Sequence, residues 1–415
     1  SLIATALFTL GSLITVRALN PRGWHGLGWA MLFIYGFPWL WGFTNFVLAA
    51  GLSLLAFGLS VNLQGRPGWR SAILVAAQPL AFLSHAVGGL ILPLLILAEA
   101  FGSALDAPDR SPRRVIGQLA AQCWPLAVSA AALLAWLVAA PAPEHTGLAW
   151  DMLGKLDFLI EVLRDQSFPL DVASAIGGYL LLLGSRWLGA RWTWRTALPA
   201  LALLLVYAVA PNRVNGSEIV DVRLLSVAMV LALGLQDWSA APRRMAMAVM
   251  LGGGALFLLR AGLINWSFPR YEASYRAELR ALDAVKPGSA VLVLRQQSCA
   301  NVTWRMSRLD NLGMMASPLR QAWTNNPWTV PGIHLLRSRH RVGTNGQTMI
   351  SPMIWDTRCP DAEDRTVEMA INEVRRGSID YVWLLDTGVP QSPLPGMALA
   401  WQAGRSALYR VNRQP

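Results

Sequence analysis

The stretch Tyr35–Ser60, YGFPWLWGFTNFVLAAGLSLLAFGLS, constrains the fold more than any other. It is too apolar for water, yet Gly36-Phe37-Pro38-Trp39-Leu40-Trp41-Gly42 interrupts it. Proline lacks an amide donor and clashes within a helix, and the flanking glycines loosen the backbone. Paired indoles favour a membrane–water boundary, where an apolar ring and a polar N–H are both satisfied. The packet therefore predicts a surface turn between a helix ending near Tyr35 and another starting near Thr44. Trp39 and Trp41 would meet headgroups or a substrate there. Asn45 opens the second helix, either as a binding amide or as a cap of its own helix end.

Composition agrees with a polytopic membrane protein: 54% of 415 residues are hydrophobic and only 14% are charged. The net charge of +11 is nearly all arginine, since Lys155 and Lys286 are the only lysines. In such a chain that excess suits cytoplasmic loops and anionic headgroups or phosphate, and no nucleic-acid partner is expected.

Ten apolar segments follow in order: Leu2–Val16, Leu27–Tyr35, Thr44–Val61, Ser71–Ser84, Gly88–Phe101, Ile116–Ala140, Val172–Gly184, Thr196–Ala210, Leu224–Leu235 and Met245–Trp266. Several fall short of the roughly 20 residues of a full span. Alternating them places Arg17, Arg22, Arg66, Arg70, Arg110, Arg113, Arg114, Arg186, Arg191, Arg195, Arg243 and Arg244 on one side. Lys155, Arg164, Arg213 and Arg223 fall on the other. The arginine-rich side is read as cytoplasmic. The 36–42 turn, His85, the 154–171 and 212–223 loops and everything after Trp266 then face outward. The chain starts inside an apolar run at Ser1 and is read as lacking upstream sequence.

Polar residues at the outward helix ends are the candidate chemistry. His85 lies at the bend Ser84–Gly89; its alternatives are a structural hydrogen bond or a site role. The segment Trp150–Leu163 predicts an acidic amphipathic helix on the outer membrane surface, with no role in chemistry as the equal alternative. The loop Pro211–Arg223 carries Arg213, Glu218, Asp221 and Arg223. An arginine fork suits phosphate, and a carboxylate suits sugar hydroxyls or proton transfer. The plainer reading is a surface pair, Asp221–Arg223 or Glu218–Arg213, either worth about 1 kcal/mol or less. Arg260, in the last segment, would snorkel to headgroups, with phosphate binding as the lesser alternative.

After Trp266 the pattern becomes that of a small α/β domain. Helices are predicted over Tyr271–Val285 and Thr366–Arg376, and strands over Ser289–Arg295, Asp380–Leu385 and Ala407–Val411. The domains are therefore 1–266, transmembrane and mainly α, and 267–415, α/β and extracytoplasmic. Cys299 and Cys359, the two thiols of the outward domain, are expected to form a disulfide closing a loop worth about 4 kcal/mol. His334 and His340 are weak evidence for a metal. No cofactor is assigned, a divalent metal stays open, and the oligomeric state is undetermined.

Gly42-Phe43-Thr44-Asn45-Phe46, Leu83-Ser84-His85 and Asp221-Val222-Arg223-Leu224, with a terminal α/β domain opened by Val285-Lys286-Pro287-Gly288-Ser289, resemble the bacterial polytopic glycosyltransferases of the GT-C superfamily. These include arabinose and mannose transferases that use polyprenyl-phosphate sugars. The resemblance implies inverting sugar transfer from a lipid-phosphate donor to an envelope acceptor, on the outer face of a bacterial inner membrane. His85, Asp221 and Glu218 would be catalytic; Asn45, Arg213, Arg223, Trp39 and Trp41 would bind substrate. The family's catalytic aspartate sits in a first outer loop, which here would precede Ser1. Two other classes remain: a lipid-linked-glycan transporter, which calls for polar residues at mid-membrane, and a non-catalytic assembly partner. An acidic residue between the first two helices would mark the enzyme.

Overall fold

The computed structural model describes residues 2–21, 23–139, 147–165, 167–214, 217–297, 309–327, 338, 340–344, 350–355, 365–375, 377–390 and 394–412. Two compact units divide the chain, the first up to Leu263 and the second from Ile264.

The first unit is helical. In order come α1 (Leu2–Leu19), α2 (Leu27–Ile34), α3 (Phe37–Leu40), α4 (Thr44–Asn62), α5 (Pro67–Ser84), α6 (Ala86–Asp106) and α7 (Pro112–Ala139). Then follow α8 (Met152–Glu161), α9 (Phe168–Gly184), α10 (Trp194–Val209), α11 (Val222–Gly234) and α12 (Arg243–Leu279), of which the part up to Leu263 belongs to this unit. Each of the ten apolar segments coincides with one of these helices. Among the described residues, four helical segments, Leu2–Leu19, Thr44–Asn62, Ala86–Asp106 and Arg243–Ala284, are long and apolar enough to cross a membrane. These make a membrane protein the coarse conclusion.

Every residue of α11 is buried, including Arg223 and Ser226. A helix apolar on all sides belongs at the centre of a bundle, and α11 packs against α2, α9 and α10. Around it, α1 and α4 run against each other at backbone distance. A Cβ on Gly51 would come within 2.6 Å of the Phe8 nitrogen, and one on Gly58 within 2.7 Å of the Thr15 nitrogen. Small residues seven apart on α4 let the two backbones touch, and Thr15 Oγ1 donates to the Leu54 carbonyl at 2.7 Å.

The broken packet folds as expected into a connection, with one helical turn in it. Pro38 sits at the start of α3, where its missing N–H costs no bond, and Gly42 takes φ 77°. Two short strands, β1 (Leu148–Ala149) and β2 (Arg213–Val214), pair antiparallel and tie the lead of α8 to the 211–221 loop.

The bundle has two polar ends. At one, Arg195 Nε donates to the buried Glu99 carboxylate at 2.6 Å, Gln64 Nε2 donates to it at 3.2 Å, and Asp106 accepts the Trp194 and Arg195 amides. This end joins the carboxyl ends of α4 and α6 to the amino end of α10. The amino ends of α4, α6 and α11 gather at the other.

The second unit is a six-stranded mixed sheet ordered β4-β3-β6-β8-β7, with β5 also on β3. Its strands are β3 (Ala290–Gln297), β4 (Trp323–Thr324), β5 (Met353–Trp355), β6 (Tyr381–Leu385), β7 (Met397–Ala403) and β8 (Ser406–Val411). β3 pairs parallel with β4, β5 and β6, whereas β8 is antiparallel to both neighbours. Side chains alternate between two cores. Leu292, Leu294, Val382 and Leu384 enter one; Val291, Val293, Tyr381 and Trp383 enter the other. Short helices α13 (Ala316–Arg320) and α14 (Val367–Asn372) also belong to the unit. The strands expected at 289–295, 380–385 and 407–411 are β3, β6 and β8. The helix expected over Tyr271–Val285 is the end of α12 and a 3₁₀ turn, Arg280–Ala284.

Candidate functional site

Three amino-terminal helix ends meet around Arg223. It lies in the first turn of α11 and is 8% exposed. Its guanidinium carbon stands 4.0 Å over the Phe43 ring, at the entry to α4. Nη1 lies 2.6 Å from His85 Nε2, and Nη2 donates to the Glu218 carbonyl at 3.1 Å. Nε is buried without a hydrogen-bond partner among the described residues. The guanidinium is thus stacked, fixed in plane and bonded to no described carboxylate.

His85 is extended (φ −166°, ψ 124°) between α5 and α6, so its ring can turn back over the start of α6. There Nδ1 faces the Gly88 N–H at 3.3 Å, while the Phe46 ring stands edge-on to the imidazole, 5.4 Å between centroids. A neutral imidazole accepts at one nitrogen only, yet both face a donor. The cluster of Phe43, Phe46, His85 and Arg223 is therefore rich in donors and flanked by aromatic faces. An anion such as a phosphate fits that chemistry.

Asp221, named with His85 as a candidate catalytic residue, is bonded to a different helix. Its side chain is fully buried at 0% exposure and forms an ion pair with Lys155 of α8. The pair takes the place of the Asp221–Arg223 surface pair of the plainer reading: buried charge demands a partner, and the neighbouring helix supplies one. Lys155 also donates to the Tyr207 and Ala210 carbonyls at 2.9 and 2.8 Å, so its three donors are all used. The pair lies across the carboxyl end of α10 and the amino end of α11, each charge at the helix end of favourable sign. Amphipathic α8 is accordingly anchored to the bundle through Lys155 and Phe158, while Leu153 and Leu156 stay exposed.

The remaining expected residues are spread around this cluster. Glu218 and Arg213 form an exposed pair at 2.9 Å, the plainer of the readings for that loop. Asn45 is exposed at the start of α4, and its Oδ1 accepts the Phe46 N–H at 2.9 Å, so it serves its own helix end. Trp39 and Trp41 are half-buried rather than free anchors. Trp39 Nε1 donates to Thr5 Oγ1 at 2.8 Å, and the Trp41 ring packs on Phe37 at 4.2 Å. Arg260 does not snorkel; it is buried, donates to Asp171 Oδ1 at 3.0 Å and to the Leu163 carbonyl at 2.5 Å. Cys299 and Cys359 lie outside the described residues, and so does His334. Among the described residues no three His, Cys, Asp or Glu side chains converge.

Phe43, Phe46 and Lys155 were missed in the sequence. The two phenylalanines flank Asn45, in the motif already singled out. Lys155 was visible as one of only two lysines, set among apolar residues. Comparison with known protein families, characterised proteins and solved structures finds no match.

Proposed function

We propose that the chain is a membrane glycosyltransferase of the GT-C kind, moving a sugar from a polyprenyl-phosphate donor to an envelope acceptor. One observation carries this reading: the Arg223 guanidinium is stacked on Phe43, faces His85 and is bonded to no described carboxylate. A departing lipid phosphate gathers negative charge in the transition state. A preorganised fork at the outer end of the bundle stabilises that charge without reorganising. Phe43 and Phe46 give apolar surface to the first prenyl units, and the shared end of α4, α6 and α11 would face outward in a bacterial inner membrane. The second unit would then lie outside the cytoplasm.

A second reading, a non-catalytic assembly partner, draws support from the carboxylates. Asp221 is occupied by Lys155 and Glu218 by Arg213. Incubating the purified protein with a panel of radiolabelled polyprenyl-phosphate sugars and envelope acceptors separates the two. The enzyme reading expects transfer that drops by about 100-fold or more in Arg223→Ala. Binding of a donor with no transfer to any acceptor favours the partner.

A further inference from the structure

We propose that Lys155 is a positioning residue that takes Asp221 out of the anion site and so preserves the positive charge of Arg223. The inference rests on the reading of Arg223 as a phosphate ligand.

Asp221 and Arg223 stand two residues apart in the turn that opens α11. In such a turn an aspartate normally accepts from the N–H groups of its own helix. Asp221 makes no such bond. Its backbone is already helical (φ −73°, ψ −47°), and one carboxylate oxygen goes to Lys155 while the other is buried without a hydrogen-bond partner. A carboxylate so placed has two possible cationic partners, Lys155 and Arg223. The Arg223 Nε–H is likewise buried and without a hydrogen-bond partner.

The choice of Lys155 is built in from the other side. Tyr207 donates its hydroxyl to the Lys155 carbonyl at 2.5 Å, and its ring lies 5.3 Å from the ammonium. Two carbonyls at the end of α10 complete the shell of Lys155. A lysine at 5% exposure is held in one place by four groups, and its charge meets that of Asp221 there. Removing the ammonium leaves a buried carboxylate whose cheapest new partner is Arg223. An arginine paired in that way offers no net charge to phosphate.

The test measures the affinity of the full chain in detergent for geranyl phosphate, and follows the His85 imidazole by NMR titration. Lys155→Met is expected to weaken binding by about tenfold or more. Asp221→Asn is expected to leave affinity equal or tighter, and the double variant to return close to the parent. The His85 titration should move up in Lys155→Met, as Arg223 leaves it, and not up in Asp221→Asn. A purely structural role predicts that both single variants weaken binding alike and shift His85 in the same direction, and that result overturns the proposal. Should Lys155→Met fail to fold, Asp221→Asn and the double variant still decide the sign. If the parent does not bind geranyl phosphate, the phosphate reading falls, while the opposite His85 shifts still test the role of Lys155.

Discussion

Asp221 and Arg223 enter α11 two residues apart and serve different partners: the carboxylate meets Lys155, and the guanidinium meets His85 at 2.6 Å. A loop that reads as a possible Asp–Arg surface pair is in fact split into an anchoring half and a donor-rich half. The account of the site depends on that division.

The buried Arg260–Asp171 pair joins α12 to α9, and Asp171 Oδ2 also accepts the Asp165 N–H at 2.7 Å. Arg260→Ala would leave a buried, unneutralised carboxylate. It is expected to destabilise the first unit by about 3–5 kcal/mol, read as a lower thermal midpoint in detergent. Arg260→Ala with Asp171→Leu should recover much of the loss. A single variant as stable as the parent contradicts the pairing.

The contact of α1 with α4 leaves no room for a side chain at Gly51 or Gly58. Gly58→Val would meet the backbone at Ile14 and Thr15 and force the helices apart, at about 1–3 kcal/mol. Ser53→Ala, on the same helix, removes only a hydrogen bond to the Gly88 carbonyl, about 1 kcal/mol. Equal midpoints for Gly58→Val and the parent would refute the close approach.

In the second unit, Arg295 of β3 and Asp310 form a buried pair. Burial pushes the Asp310 carboxyl up to about 7, against the pull of Arg295. The unfolded chain titrates at the ordinary carboxylate value, so between the two values the folded form holds the extra proton. This contribution to stability is full below the unfolded value and is lost as pH rises through about 7. Hydrogen exchange of the β3 and β6 amides, corrected for intrinsic rates, should show greater protection at pH 5 than at pH 8. Asp310→Asn should flatten that difference, and an unchanged slope in the variant assigns it to another group.

Much of this fold is legible from apolar continuity. Runs such as Thr44–Val61 and Leu224–Leu235 read as helices that satisfy their own backbone, and the strand residues 290–295 and 381–385 are runs buried on both faces. β4 and β5, at two and three residues, carry too little pattern to be read. The site was half legible. His85 and Arg223 stand out as polar groups at apolar helix ends, but partner choice is a tertiary matter. Lys155 lies 66 residues before Asp221, in a segment whose acidic amphipathic pattern points to a surface helix. Arg260 near a helix end looks like a snorkelling residue until the distant Asp171 is placed beside it.

The central claim is that Arg223 makes a phosphate site, and paired ligands test it directly. The full chain is titrated with geranyl phosphate and with geraniol, which share the prenyl chain and differ in the anion. The account predicts that the phosphate binds about 10- to 100-fold more tightly, and that Arg223→Ala abolishes the difference while leaving the affinity for geraniol intact. Equal affinity for the two ligands in the parent, or a phosphate preference that survives Arg223→Ala, would contradict it.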